Sequence, residues 1–188
     1  RVIDRQGTSS VKWEFIQNED DPTRLEQTGH FFGDGALIPM WVADMDFPAP
    51  QPVIDALIAR SRHGVFGYTF PTPSYHQAVT GWMKRRHGWE FQPEWIVMTP
   101  GVVTALCLLV QTFLKPGEKA LVQPPVYYPF FAAIERNGYE VVRNPLIYQE
   151  GHYRMDFDDL AAKASDPQVK LAILCSPHNP VGRVWSAE

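Results

Sequence analysis

The hexapeptide Lys170-Leu171-Ala172-Ile173-Leu174-Cys175 runs directly into Ser176-Pro177-His178-Asn179-Pro180-Val181-Gly182. A strand-length apolar run without polar alternation belongs in a sheet covered on both faces, and such sheets are mainly parallel. Parallel neighbours need crossover helices, and the sequence before Lys170 supplies them. Apolar spacing predicts helices over Gln51–Arg62, from Pro73 to Arg86, and over Pro129–Arg136. Gly64, Gly88 and Asn137-Gly138 act as stops. Val102–Leu114 is apolar nearly all round and predicts a buried helix, ended by Pro116-Gly117. A further helix over Asp156–Ala164 takes Asp156 as its N-cap. Strands are predicted at Trp95–Met98, Lys119–Gln123 and Tyr139–Arg143. This alternation implies an α/β fold with a mostly parallel sheet.

Composition narrows the function. The 188 residues carry 17 basic and 21 acidic side chains, a formal charge of −4, with the basic residues scattered. No positive surface is thereby set up for nucleic acid. No apolar run approaches the ~20 residues that cross a bilayer, and the first residues lack a signal-peptide pattern. Cys107 and Cys175 form no CxxC pair and sit in apolar runs, which predicts buried free thiols in a reducing cytoplasm. The six histidines show no metal-ligand spacing, so no metal site is expected. Residues 1–48 read as irregular, with turn signals at Gly7, Gly29, Gly33 and Gly35; regular patterning starts near Pro50.

Ligands of such sheets sit beyond the carboxyl ends of the strands. The helix entrance at Gly101 offers free N–H groups and a positive dipole end to a phosphate, although every helix has such an end. Pro125-Val126-Tyr127-Tyr128-Pro129 holds two aromatics where a strand gives way to a helix, either as a ring platform or as core packing. In Ser176–Gly182 an amide between two prolines can bond a ligand oxygen or simply cap a turn. His178 is given no role. Asp44 and Asp46 share one side of an extended segment, where a structural role is favoured over acid–base work.

Taken together, these segments resemble the fold-type I pyridoxal 5'-phosphate (PLP) enzymes of the aminotransferase class I/II superfamily. The likeness is greatest to cystathionine β-lyase-like C–S lyases of the MalY/PatB type. It is carried, in order, by Val2–Thr8, Trp41-Val42-Ala43-Asp44-Met45-Asp46-Phe47 and His63-Gly64-Val65-Phe66-Gly67-Tyr68. Pro100-Gly101-Val102-Val103, Pro125-Val126-Tyr127-Tyr128 and Cys175–Trp185 continue it. The resemblance implies a PLP-transferase-like large domain, incomplete here, over 49–188. Residues 1–48 would contribute to a smaller domain and to the active-site entrance.

By the same resemblance, Gly101, Val102 and Val103 would hold the PLP phosphate. Tyr127 would stack on the pyridine ring, with Tyr128 as the competing choice, and Asn179 would bond the ring's 3-oxygen. Tyr68 would cross a homodimer interface to the neighbouring phosphate, and the backbone of Ala43 would lie near the substrate carboxylate. The implied activity is β-elimination of sulfur amino acids to pyruvate, ammonia and a thiol. A class I/II aminotransferase is the alternative, and a non-catalytic binding module is a third reading. The superfamily's catalytic lysine lies in a Ser-x-x-Lys segment after a late strand, which these residues lack. The expectation is therefore a polypeptide that continues past Glu188, and a 188-residue piece that is inactive alone.

Overall fold

A computed structural model describes residues 2–18, 20, 24–27 and 39–186. The turn signals at Gly29, Gly33 and Gly35 lie outside the described residues. The chain forms two compact units, Arg1–Phe70 and Pro71–Glu188.

The first unit opens with a one-turn helix α1 (Val11–Glu14), which passes directly into strand β1 (Phe15–Gln17). β1 pairs antiparallel with β2 (Leu25–Gln27), Phe15 opposite Gln27. The segment expected to be irregular thus contains a small hairpin. Buried Glu14 stabilises the turn before α1 by accepting the N–H groups of Thr8 (2.8 Å) and Ser10 (3.4 Å). Helix α2 (Gln51–His63) has Pro52 as its second residue, whose fixed φ suits a first turn, and is followed by Gly64 in the left-handed conformation with φ 75°.

The second unit begins with α3 (Pro73–His87), where Thr72 Oγ1 caps the N–H of Tyr75 at 3.3 Å. The predicted strand at Trp95–Met98 is replaced by a 3₁₀ turn, Pro93–Trp95, followed by extended but unladdered backbone. Extended residues become a strand only with a neighbour to bond, and the described residues provide none there. Helix α4 (Val102–Phe113) leads through a tight turn at Gly117 into β3 (Lys119–Val122). Then come α5 (Pro129–Glu135), β4 (Glu140–Arg143), the hairpin β5 (Ile147–Gln149) with β6 (His152–Arg154), α6 (Phe157–Ala164) and β7 (Val169–Ala172).

β3 is the central strand of a parallel sheet ordered β4-β3-β7. Lys119 faces Glu140 on one side, and Leu121 faces Ala172 on the other. Alternate residues serve opposite faces. Ala120 and Val122 join Val110 and Leu114 of the α4 region and Phe130 and Ile134 of α5 in the core. Leu121 and Gln123 point the other way, into a cavity of about 580 Å³ bounded by Phe157, Leu160, Leu174 and Trp185. The helix predicted to be buried is not fully so: Val110 is enclosed, but Val102, Leu108, Leu109 and Phe113 are exposed. Both cysteines are free and half-buried, less enclosed than their apolar runs suggested.

A buried asparagine ties the layers together. Asn144, fully buried, donates its backbone N–H to Val122 O (2.9 Å) and its amide to Asp156 O (3.1 Å) and Asp159 Oδ2 (2.7 Å). Lys163 and then Asn144 hold the Asp159 carboxyl below its ordinary range. Asp156 caps α6 as predicted, accepting from the N–H of Asp159 at 3.0 Å.

Candidate functional site

Chain direction decides where the loops gather. α4 turns back into β3 within a few residues, so the helix runs opposite to the strands. Its C-terminal carbonyl, Leu114 O, accepts the hydroxyl of Tyr139 at 2.8 Å, just before β4 begins. The end of α4 therefore lies at the amino end of the sheet. Its start, about 18 Å away for a helix of this length, lies toward the carboxyl end, where the loops after β3 and β7 emerge.

Gly101 opens α4 with φ 103°, a conformation that disfavours any side chain, and an added Cβ would meet nothing within 4 Å. No side chain caps this helix end, and Gly101 through Thr104 are exposed. The first N–H groups of α4 are thus open to a ligand, at the positive end of the helix dipole.

The loop after β3 divides its two tyrosines. Tyr127 is half-buried against the core, its ring edge-on to Phe130 with centroids 6.0 Å apart at 83°. Tyr128 is 77% exposed at the start of α5. Asn179, in the loop after β7, is exposed, and its backbone N–H reaches Cys175 Sγ at 3.4 Å. A hydrogen bond from His178 Nε2 to Pro125 O, 3.0 Å, brings the two loops together. The start of α4, Tyr127 and Asn179 accordingly share one end of one sheet.

His178 is what reading the residues in order missed. It is 1% exposed, and its partners Pro125 and Trp185 are far apart in the chain. The available signal was the pairing of a histidine between turn prolines with a tryptophan a few residues later.

Ala43 and Tyr68 belong to the first unit. Ala43 is exposed in an extended segment that is pinned from both sides. Lys12 Nζ bonds Asp44 O (3.0 Å) and Asp46 Oδ2 (2.9 Å), and Arg5 Nη1 pairs with Asp44 Oδ2 (2.6 Å). Trp13 Nε1 donates to Asp46 Oδ1 at 2.8 Å. These donors, Lys12 foremost and then Trp13, hold the Asp46 carboxyl down to about 2. The two aspartates are therefore committed to ion pairs and backbone anchoring, not poised as an acid–base couple. Lys12 closes a Ser9-Ser10-Val11-Lys12 sequence but is spent on Asp46. Tyr68 is fully exposed, in an extended stretch with exposed Phe66 and Phe70. Among the described residues no cluster of three or more His, Cys, Asp or Glu could hold a metal, and no helix is long and apolar enough to cross a membrane.

A parallel sheet with a glycine-opened helix, a braced tyrosine and an amide between prolines at its carboxyl end marks an α/β domain. Residues 37–188 match the family described as Aminotransferase class I and II, and the chain belongs to it. It is 51% identical over 98% of its length to cystathionine beta-lyase PatB of Bacillus subtilis, and 30% identical over 100% to protein MalY of Escherichia coli. The structure of cystalysin from Treponema denticola, which contains pyridoxal 5'-phosphate, superposes with a TM-score of 0.85 at 38% identity, covering 100% of this chain. The chain spans 45% of the length of each of these relatives.

Proposed function

We propose that the full-length protein is a PLP-dependent carbon–sulfur β-lyase that converts sulfur amino acids such as cystathionine to pyruvate, ammonia and a thiol. The observation that carries this reading is the 51% identity to a cystathionine beta-lyase across 98% of the chain. The residues present fit the coenzyme: uncapped N–H groups at a glycine-opened helix suit a phosphate, and a braced aromatic and an outward amide suit a substituted pyridine.

When bound, PLP supplies an electron sink for the charge left on the substrate's α-carbon once its proton is removed. The N–H groups of Val102 and Val103, beside Gly101, would hold the phosphate without needing a cationic side chain. Tyr127 suits the ring face better than Tyr128 because its packing against Phe130 fixes its plane. The Asn179 amide would donate to the 3-oxygen and stabilise negative charge there. Ala43, on the segment that Lys12 and Arg5 pin, would lie beside the substrate carboxylate. Loss of the Cβ–S bond releases the thiolate, which takes up a proton, and water converts the three-carbon remainder to pyruvate and ammonia.

The supporting architecture follows the same reading. Residues 1–48 would contribute to a smaller domain and the site entrance, with 49–188 beginning the coenzyme domain. The exposed Tyr68 would reach the phosphate of a second subunit in a homodimer. Free cysteines suit a cytoplasmic setting. Transamination is the competing outcome, since the matching family includes aminotransferases. Full-length protein loaded with PLP and given cystathionine should release pyruvate and thiol in equal amounts, without a keto-acid acceptor. Amino-group transfer to an added 2-oxo acid, with no pyruvate released, would overturn the lyase assignment.

A further inference from the structure

We infer that His178 is a positioning residue, whose imidazole locks the loop carrying Asn179 to the loop carrying Tyr127 so that both are presented to the coenzyme as one unit. The inference rests on the reading above, in which those two side chains hold the coenzyme.

The chemistry of its partners fixes the ring. Pro125 O is an acceptor only, so Nε2, 3.0 Å away, carries the proton. Trp185 Nε1 is a donor only, so Nδ1, 3.1 Å away, accepts. One neutral tautomer satisfies both, and the indole stands edge-on to the imidazole at 88° with centroids 5.3 Å apart. The same indole N–H reaches Cys175 O at 2.9 Å, tying the end of the loop to its beginning.

The backbone closes the arrangement. His178 N–H donates to Arg183 O (2.6 Å), and His178 O accepts the N–H of Gly182 (2.7 Å). Asn179 follows directly, its N–H on Cys175 Sγ, and its side-chain amide makes no hydrogen bond among the described residues. The backbone and both ring nitrogens of His178 are thus engaged, while the amide expected to meet the coenzyme is left available. On the other side, Pro125 stands two residues before Tyr127. A side chain that merely filled space would need volume alone. This one aims two nitrogens at two separate segments, and that is the arrangement a coupling role requires.

The test uses the full-length protein stripped of PLP and titrated with it. His178→Phe keeps an aromatic ring and loses both hydrogen bonds; it should raise the PLP dissociation constant about tenfold. It should also shift the pH dependence of the bound coenzyme's visible absorbance. His178→Gln, which can restore the donor to Pro125 O, should stay within about threefold of the parent. Trp185→Phe, which removes the bond to His178 Nδ1 together with the tie to Cys175 O, should fall between. A lower Tm with unchanged affinity and absorbance would reduce His178 to packing and overturn the inference. If His178→Phe does not fold, a Trp185→Phe variant that matches the parent overturns it equally. Asn179→Ala separates the two levels. If it leaves affinity and absorbance unchanged, the assignment of Asn179 to the coenzyme fails; if it alters them while the His178 variants do not, only the coupling fails.

Discussion

Asp46 takes hydrogen bonds from Lys12, Trp13 and Arg5, and its carboxyl is held at about 2. A carboxylate whose pKa is lower in the folded than in the unfolded chain stabilises the fold above the ordinary carboxylate range, and that contribution is lost as pH falls toward 2. Asp46→Asn should therefore lower stability at neutral pH and flatten its pH dependence between about pH 2 and 4, as read from urea unfolding across that range. Gly101, Tyr127 and Asn179 were legible as candidates because each belongs to a short contiguous segment with its own chemistry. A structural role for Asp44 and Asp46 was favoured from sequence, as bonding to loop backbone; the ion pairs with Lys12 and Arg5 were not foreseen, since those partners lie some thirty to forty residues upstream. The tie from His178 to the other loop was illegible for the same reason: its acceptor is fifty-three residues away.

Asn144 joins three elements, the end of β3, the end of β4 and the start of α6. Asn144→Ala would leave Asp156 O and Asp159 with lost partners in a closed environment. It should cost about 2–3 kcal/mol in chemical denaturation of the full-length protein. The elements with a long, dense pattern were read well: α2, α3, α6 and the three parallel strands lie within a few residues of their predicted bounds. Short elements were not. The β5–β6 hairpin has three-residue strands, and its two-residue loop places Glu150 and Gly151 at φ 51° and 80°. Gly151 between Tyr148 and Tyr153, which lie opposite each other, was the available signal. The predicted strand at Trp95–Met98 failed differently, because local apolarity describes a strand's faces and says nothing of its edges.

Among the described residues, β4 and β7 each have β3 as their only ladder neighbour, and the apolar Val102, Leu108, Leu109 and Phe113 of α4 face outward. Free edges and exposed apolar surface favour association. The 188-residue polypeptide expressed alone should run as large, heterogeneous species in size-exclusion chromatography with light scattering; a monomer that unfolds cooperatively would contradict this. At this scale the sequence conveyed the layer order, because alternating patterns leave few topologies, whereas cross-links between loops depend on distances that no local pattern encodes. The bracing of Trp185 against both Cys175 and His178 has a consequence for permitted change in the gene. Substitutions at the exposed Arg183 and Val184 can be absorbed, but inserting or deleting even one codon between the imidazole and the indole would pull the two rings out of register. The spacing of that stretch is a tighter constraint than its spelling.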